Sequence, residues 1–225
     1  MTIKAGSEEI KVGLFGGTFN PIHLGHLRGA EEVRESFGLK TVAFIPAAIP
    51  PHKSLEEVVE VRHRLEMIRL AVTTNSSFSL SDVEIKRPGR SYSIDTIRHF
   101  RKEYPEGHLY FILGGDAFTE IETWKEFPSL FSLCNFIVMA RPGFWKTSLP
   151  AQLPEVLKQA LRYDRAVNGW IHSSGHTLHF QEITFLDISS TKVRELLERG
   201  ESVRYLIPGE VETYIRRYGL YGKKL

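Results

Sequence analysis

Short apolar runs alternate with longer amphipathic stretches along most of this chain. Apolar runs of about six residues are typical of strands buried on both faces of a parallel sheet. Such runs, together with stretches of strict polar and apolar alternation, predict strands at 11–15, 41–46, 78–85, 108–113, 135–140 and 176–185. The last of these fits a strand pair or one long strand. Helical periodicity predicts helices at 24–37, 58–74, 93–104, 117–122, 154–163, 188–197, 203–207 and 210–218.

This alternation predicts an α/β fold, with a Rossmann-like doubly wound, mostly parallel sheet and helices on both faces. A small C-terminal helical part completes it. We expect a single domain over residues 1–225, in which 1–10 form a polar N-terminal extension and 200–225 form terminal helices. The stretch 144–175 shows the weakest periodicity of the chain.

Composition limits the classes of function. Hydrophobic residues make up 42% and charged residues 25% of the chain, which is typical of a soluble globular protein. A net charge of +2 is too balanced to indicate nucleic-acid or membrane binding. The polar start of the chain lacks the apolar core of a signal peptide, and no apolar run approaches the ~18 residues of a membrane span. We therefore expect a cytoplasmic protein.

The single cysteine, Cys134, excludes a disulfide within the chain. Its apolar surroundings favour a small buried core residue over a nucleophile.

The segment after the first predicted strand carries the first candidate chemistry. Gly16 and Gly17 break the strand, a turn follows, and a helix then places His23 and His26 on one face of its first turn. Glycines let a ligand approach the backbone, and N–H groups in a first helical turn lack partners within the helix. The segment therefore predicts a phosphate-binding corner.

Two other interpretations of the histidines stay open at this point. They could bind a metal, although the segment supplies no carboxylate as a further ligand. They could also be core or capping residues. Gly25, which lies between them, favours close approach of some group to the helix. The segment has neither the Gly-x-Gly-x-x-Gly fingerprint nor a lysine-bearing phosphate loop.

A second cluster lies near the end of the chain. Ser189, Ser190 and Thr191 begin a predicted helix, and Lys192 and Arg194 follow in its next turn. Hydroxyls at a helix start can be simple N-caps, but one is enough for that purpose. Hydroxyls, free N–H groups and a guanidinium suit a polyphosphate.

Residues 16–26, Gly-Gly-Thr-Phe-Asn-Pro-Ile-His-Leu-Gly-His, and 188–194, Ile-Ser-Ser-Thr-Lys-Val-Arg, resemble the two signature motifs of the nucleotidyltransferase superfamily. The intermediate segments narrow the resemblance to bacterial nicotinate-nucleotide adenylyltransferases. They are Pro-Pro-His-Lys at 50–53, Ser-Tyr-Ser at 91–93, Gly-Gly-Asp at 114–116, Trp124 and Arg-Pro-Gly at 141–143. The resemblance runs from about residue 11 to 218.

The resemblance implies transfer of the adenylyl group of ATP to nicotinate mononucleotide, which gives deamido-NAD and pyrophosphate. It implies magnesium carried with ATP, no metal ligand from the protein, and no protein nucleophile. The alternatives are another acceptor, such as nicotinamide mononucleotide or phosphopantetheine, and a nucleotide sensor without catalysis. A sensor is expected to have lost His26 or Arg194, and both are present. No nucleic-acid or membrane partner is implied, and a homo-oligomer is compatible with the sequence.

The resemblance also implies roles for individual residues. His23, His26 and Arg194 are implied as catalytic, with His26 stabilising the transition state. The implied ATP-binding residues are Gly16, Gly17, Thr18, Lys53, Asp116, Ser189, Ser190 and Thr191. The implied residues for nicotinate mononucleotide are Tyr92, Ser93, Trp124 and Arg141.

Simpler interpretations accompany three of these residues. Asp116 could cap a helix, Trp124 could be a core aromatic, and Arg141 could be a solvated residue at a strand end. The chain also departs from the family pattern at three positions. Asn20 replaces the more usual aspartate, Ser93 replaces threonine, and Lys125 follows Trp124 where an aromatic or polar residue is common.

Overall fold

Eight strands form one sheet in a computed structural model that describes residues 10–50, 58–140 and 153–222. The strands are β1 (Lys11–Gly17), β2 (Thr41–Pro46), β3 (Phe78–Leu80), β4 (His108–Gly114), β5 (Asn135–Ala140), β6 (Leu161–Asp164), β7 (Gly169–His172) and β8 (Thr177–Glu182). Their order across the sheet is β3-β2-β1-β4-β5-β8-β7-β6. The strand order reverses between β1 and β4, which is where open α/β sheets bind ligands.

The five pairings β3–β2, β2–β1, β1–β4, β4–β5 and β5–β8 are parallel. The remaining two, β8–β7 and β7–β6, are antiparallel. The mostly parallel sheet is therefore confirmed. The antiparallel pairings occur where a hairpin joins β6 to β7 at one edge.

Nine α-helices accompany the sheet in the described part of the chain. They are α1 (Leu24–Phe37), α2 (Val61–Val72), α3 (Val83–Lys86), α4 (Ser93–Glu103), α5 (Gly115–Thr119), α6 (Phe127–Leu130), α7 (Glu155–Ala160), α8 (Ser190–Glu198) and α9 (Gly209–Tyr218). A 3-10 helix, Ile121–Thr123, follows α5. Among the described residues, none of these helices has both the length and the apolar character needed to cross a membrane.

Buried side chains of β2 alternate between two hydrophobic clusters, because successive residues of a strand point to opposite faces. Phe44 packs in one cluster with residues of α1, α2, α8 and α9. Ile45 packs in the other with residues of α4 and α7. The predicted placement of helices on both faces of the sheet is confirmed.

Local sequence explains the bounds of α1, which are those predicted. The helix ends before Gly38, which adopts a left-handed conformation with φ 62° and donates its N–H to the carbonyls of Arg34 and Glu35. Glycine adopts this conformation without steric cost, so it is the usual residue after a helix.

The predictions for residues 78–85 and 203–207 were wrong. The predicted strand 78–85 contains only β3, and its second half belongs to α3. No helix forms at 203–207, where the chain makes a turn with an isolated bridge between Arg204 and Ile207. The carbonyl of Leu206 in this turn accepts the N–H of Leu24, so a tertiary contact replaces the helical hydrogen bond.

The weakly periodic stretch contains the hairpin that the sequence analysis missed. Helix α7 ends at Ala160, so the predicted helix 154–163 is too long, and β6 begins at the next residue. The turn between β6 and β7 has Asn168 at φ 47°, and Asp164 accepts the N–H of Ala166 at 2.8 Å. The 176–185 segment forms one strand, β8, rather than a strand pair.

Candidate active site

A cavity of about 550 Å³ lies beside the carboxyl ends of β1 and β4. Gly16 and Gly17 line it from β1, and Leu113 and Gly114 line it from β4. Its position is the reversal point of the strand order, and its volume is in the range of small-molecule sites.

The two motif histidines cap the start of α1 and hold each other. The backbone N–H of His26 donates to Nδ1 of His23 at 3.3 Å, and the N–H of His23 donates to Nδ1 of His26 at 3.2 Å. Their rings stack with centroids 3.5 Å apart. The capping interpretation is therefore confirmed, and the cap uses only the Nδ1 atom of each ring.

The capping geometry also determines the tautomer of both rings. An Nδ1 atom that accepts an N–H carries no proton, so the proton of the neutral ring lies on Nε2. His23 is only 6% exposed, and burial lowers its pKa to about 4. The pair thus supplies Nε2–H donors, and His23 supplies its donor without a charge at neutral pH.

The prediction of free N–H groups in the first turn of α1 was mostly wrong. His23 and His26 donate to each other's rings, and Leu24 donates to the carbonyl of Leu206 at 2.9 Å. Gly25 retains the one N–H of this turn that lacks a partner among the described residues. An anion site here therefore depends more on the imidazoles than on the backbone.

Gly25 is needed for close packing. A Cβ at this position would lie 3.1 Å from Nδ1 of His23 and 3.7 Å from the carbonyl oxygen of Ile188. The groups that approach the helix closely are therefore the His23 ring and the first residue of the second motif.

The buried guanidinium of Arg64 holds the turn 18–21 from behind. It donates to the carbonyls of Thr18 at 2.9 Å, Val59 at 3.1 Å and Ala48 at 3.3 Å. The residue is 1% exposed, and burial lowers its pKa to about 10. Arg64 was not predicted as a site residue, because in a one-dimensional pattern it resembles any polar position of the amphipathic α2.

The second motif holds the same turn from the other side. Arg194 donates through Nη1 to the carbonyl of Asn20 at 2.9 Å, and Ser190 donates to the carbonyl of Pro21 at 2.8 Å. The side-chain oxygen of Asn20 accepts the hydroxyl of Tyr221 at 2.7 Å. The two motifs, which are about 170 residues apart, are thus joined by direct hydrogen bonds.

The hydroxyls of the second motif have different environments. Ser189 caps α8 by accepting the N–H of Lys192 at 3.1 Å, as the simpler interpretation predicted. Thr191 is exposed, and its hydroxyl lies 3.5 Å from Nη2 of Arg194. Their implied contacts with ATP stay predictions.

Several residues implied for the mononucleotide line the cavity. Trp124 is half-buried and meets Phe111 edge to face, with ring centroids 6.0 Å apart. Tyr92 and Ser93 lie at the start of α4, and Nζ of Lys125 lies 4.8 Å from the centroid of the Tyr92 ring. Thr18 also lines the cavity, on the phosphate side.

Asp116 lies in the first turn of α5, directly after the end of β4, and it is exposed. Gly114 is the N-cap of this helix and no side chain caps it, so Asp116 does not act as the predicted cap. Lys53 and Arg141 lie outside the described residues.

The described part of the chain has no cluster of metal ligands and no accessible thiol. Its histidines, cysteine and carboxylates form no group of three that could hold a metal ion. Cys134 is fully buried, and burial raises the pKa of its thiol, which opposes a role as nucleophile.

Comparison with known proteins agrees with the geometry. The family model described as cytidylyltransferase-like matches residues 14–196. A protein of Geobacter sp. strain M21 is 50% identical over 212 residues, covering 94% of this chain and 98% of the relative. One from Syntrophotalea carbinolica is 47% identical, covering 94% and 97%. Both bear the name probable nicotinate-nucleotide adenylyltransferase.

Solved structures share the fold. The nicotinic acid mononucleotide adenylyltransferase of Plasmodium falciparum, complexed with NaAD, superposes with a TM-score of 0.71 at 20% identity, covering 95% of this chain and 98% of that one. A Vibrio parahaemolyticus protein described as a nicotinate-nucleotide adenylyltransferase gives 0.64 at 16% identity, with 96% and 98% covered. The chain therefore belongs to the cytidylyltransferase-like family of nucleotidyltransferases, among the nicotinate-nucleotide adenylyltransferases.

Proposed function

We propose that this protein transfers the adenylyl group of ATP to nicotinate mononucleotide, forming deamido-NAD and releasing pyrophosphate. The observation that carries the proposal is the direct hydrogen bonding of the two motifs beside the cavity, through Arg194 to Asn20 and Ser190 to Pro21. Relatives with 44–50% identity over 94% or more of the chain bear the name of this activity.

The reaction needs alignment and charge neutralisation rather than covalent catalysis. A phosphate oxygen of the mononucleotide bonds to the α-phosphorus of ATP, and the bond from that phosphorus to the bridging oxygen breaks as pyrophosphate leaves. The attacking oxygen is already anionic, so it needs no general base. This accounts for a site with two imidazoles and a guanidinium but no triad.

The motif residues act on the phosphates. The Nε2–H groups of His23 and His26 donate to phosphate oxygens, and the caps hold both rings in place before substrate binds. Arg194 supplies positive charge from the second motif, with Lys53 as a further cation. Magnesium enters as part of the ATP substrate and is held mainly by phosphate oxygens.

The acceptor occupies the cavity. The indole of Trp124 offers a face on which a pyridine ring stacks, and Tyr92 and Ser93 place the start of α4 near the ring substituent. A helix start favours a carboxylate over a neutral amide, because N–H groups and the helix dipole both stabilise negative charge. Arg141 is a candidate partner for the acceptor phosphate.

A pyrophosphate-release assay with magnesium ATP tests the proposal, with nicotinate and nicotinamide mononucleotides compared side by side. We expect kcat/KM to be at least about tenfold higher for the acid, because one charge-assisted hydrogen bond distinguishes the two acceptors. Equal or higher kcat/KM for the amide would overturn the assignment of the acceptor. No pyrophosphate with either acceptor would overturn adenylyl transfer to a pyridine mononucleotide.

A further inference from the structure

A buried carboxyl group lies in the wall of the cavity. Glu84, on α3, is 7% exposed and lines the cavity together with Arg90, Tyr92 and Trp124. Burial raises its pKa, as expected for a carboxyl group removed from water. Glutamate is rarely this buried unless it is paired, and the proposed acceptor is itself an anion. Electrostatic repulsion from the Glu84 carboxylate would by itself weaken binding of the anionic acceptor in this cavity.

The hydroxyl of Thr96 is committed to Glu84. Its oxygen accepts Nη2 of Arg87 at 3.2 Å, and its proton points to Oε1 of Glu84 at 2.5 Å. The carbonyl of Tyr92 is a second acceptor at 3.4 Å, but a hydroxyl has one proton to donate and the contact with Glu84 is much shorter.

The hydroxyl of Ser91 is committed in the same way. Its oxygen accepts the backbone N–H groups of Ala48 at 2.8 Å and Ile49 at 3.4 Å, and hydrogen bonding from the Ser91 side chain partly offsets the rise in the pKa of Glu84. Because its acceptor positions are filled by N–H groups, its proton is the one shared with the carboxylate. Two hydroxyl groups, those of Thr96 and Ser91, therefore act on Glu84.

These bonds join three parts of the cavity wall. Glu84 belongs to α3, Ala48 and Ile49 follow β2, and Ser91 immediately precedes Tyr92 and Ser93. Ser91 also donates its N–H to the carbonyl of Ile49 at 3.0 Å. Ser91 thus ties the segment before α4 to the residues after β2, and the bond from Thr96 to Glu84 ties the first turns of α4, which we propose faces the ring substituent of the acceptor, to α3.

We propose that Glu84 is a positioning residue for the acceptor, whose carboxylate holds the start of α4 in the geometry that binds the mononucleotide. This inference rests on the proposed function of the cavity. If Glu84 has this role, loss of its charge raises the KM for the acceptor. If the charge only repels the acceptor, the same change lowers that KM, so the two explanations can be separated.

The decisive variant is Glu84→Gln, which removes the charge but keeps the shape. If charge alone matters, the KM for nicotinate mononucleotide falls, because a repulsive group has gone. If Glu84 positions the wall, the KM for nicotinate mononucleotide rises about tenfold. The amide oxygen of the variant still accepts one hydroxyl, but its NH₂ group is itself a donor and cannot accept the second. The KM for ATP and kcat at saturation stay within about twofold, because the phosphate side is untouched.

Thr96 supplies a second pair of variants. Thr96→Val removes the hydroxyl but keeps the shape, so the KM for the acceptor rises in the same direction. Thr96→Ser keeps the hydroxyl and restores the KM toward the wild-type value. Glu122→Gln is the matched control, since Glu122 is exposed on the neighbouring 3-10 helix outside the cavity lining, and it leaves all constants unchanged.

Binding of nicotinate mononucleotide is measured by titration calorimetry beside the kinetics, with circular dichroism as the check on folding. An unchanged or lower acceptor KM in Glu84→Gln overturns the positioning role. If that variant does not fold, Thr96→Val decides, and equal constants for Thr96→Val and Thr96→Ser overturn it. If the wild type binds the acceptor without turnover, the proposed function fails. The ratio of the dissociation constants of Glu84→Gln and the wild type for nicotinate mononucleotide then still tests the role of Glu84. If the wild type neither binds nor reacts, both fail.

Discussion

The two sides of the candidate site use their polar groups in different ways. On the phosphate side, formed by turn 18–21, the start of α1 and the start of α8, the motif side chains bind one another and the backbone. His23 and His26 cap each other, and Arg194 and Ser190 bind carbonyls of the turn. On the cavity side, Tyr92 and Trp124 border a space of about 550 Å³.

This difference separates two tasks. Groups that stabilise a transition state must be in place before the reaction, and the phosphate side is built from mutually fixed groups. Selection of an acceptor depends on the shape of a space and on a few polar contacts at its edge. We therefore expect changes on the phosphate side to lower kcat or stability, and changes on the cavity side to raise the KM for the acceptor alone.

The largest effect is expected from His26→Ala on the phosphate side. Loss of one donor to the developing charge lowers kcat by about 10³-fold. Loss of the cap costs about 1 kcal/mol of stability, which leaves the fold intact. A pyrophosphate-release assay measures the change in kcat, and urea unfolding measures the change in stability. The exposed His99 gives a control, His99→Ala, with wild-type turnover. Normal release by His26→Ala would remove this residue from the mechanism.

Arg64→Met is the next largest change, and it tests whether the turn depends on the buried guanidinium. Three carbonyls lose their donor at about 1–3 kcal/mol each, partly offset by removal of a buried charge. We expect the free energy of unfolding to fall by about 3 kcal/mol. Arg62→Met, at an exposed ion pair with Glu60, changes it by less than about 0.5 kcal/mol. Equal urea midpoints for the two variants would contradict this account of the turn.

The third prediction concerns pH and the buried His23. In the unfolded chain this histidine has a pKa of 6.5, and burial lowers it to about 4 in the fold. Between these values only the unfolded state binds the proton, so stability is lost as the pH falls through this window. From pH 7 to pH 5 the wild type loses about 2 kcal/mol more than His23→Asn, which keeps a capping side chain. Parallel pH profiles of the urea midpoints would show that His23 is not the source.

The smallest effect is expected on the cavity side. Trp124→Ala removes the proposed stacking face, so the KM for nicotinate mononucleotide rises about tenfold, while the KM for ATP stays within about twofold. Tyr163→Ala, at an exposed aromatic residue on β6, is the control and leaves both constants unchanged. Equal increases for the two substrates would indicate that Trp124 supports the fold of the whole site rather than the acceptor.

Sequence patterns predicted the parallel part of the fold well, because buried strands are marked by apolar runs and helix ends by local chemistry. The bounds of α1, β2 and β5 agree residue for residue, and Gly38 marks the end of α1. The motifs also indicated that two distant helix starts belong to one site. The hairpin of β6 and β7 was missed, although Asn168 and Gly169 were a usable turn signal.

The residues that support the site could not be predicted in the same way. Arg64 and Glu84 look like ordinary polar positions, because nothing local shows that a charged side chain is buried or which distant groups it meets. The same holds for Leu206. Its carbonyl accepts the N–H of Leu24 in α1, and the helix predicted at 203–207 does not form. Their partners depend on tertiary structure, so the sequence revealed the motif residues but not the buried residues outside the motifs that help to hold the site.

In the proposed reaction the adenylyl group of ATP, and not its terminal phosphate, moves to the acceptor. The most direct test uses ATP labelled at the α-phosphate or at the γ-phosphate, with nicotinate mononucleotide and magnesium. We predict that the α-label appears in the dinucleotide and the γ-label in pyrophosphate. Recovery of the γ-label in the acceptor product or in free phosphate would contradict adenylyl transfer.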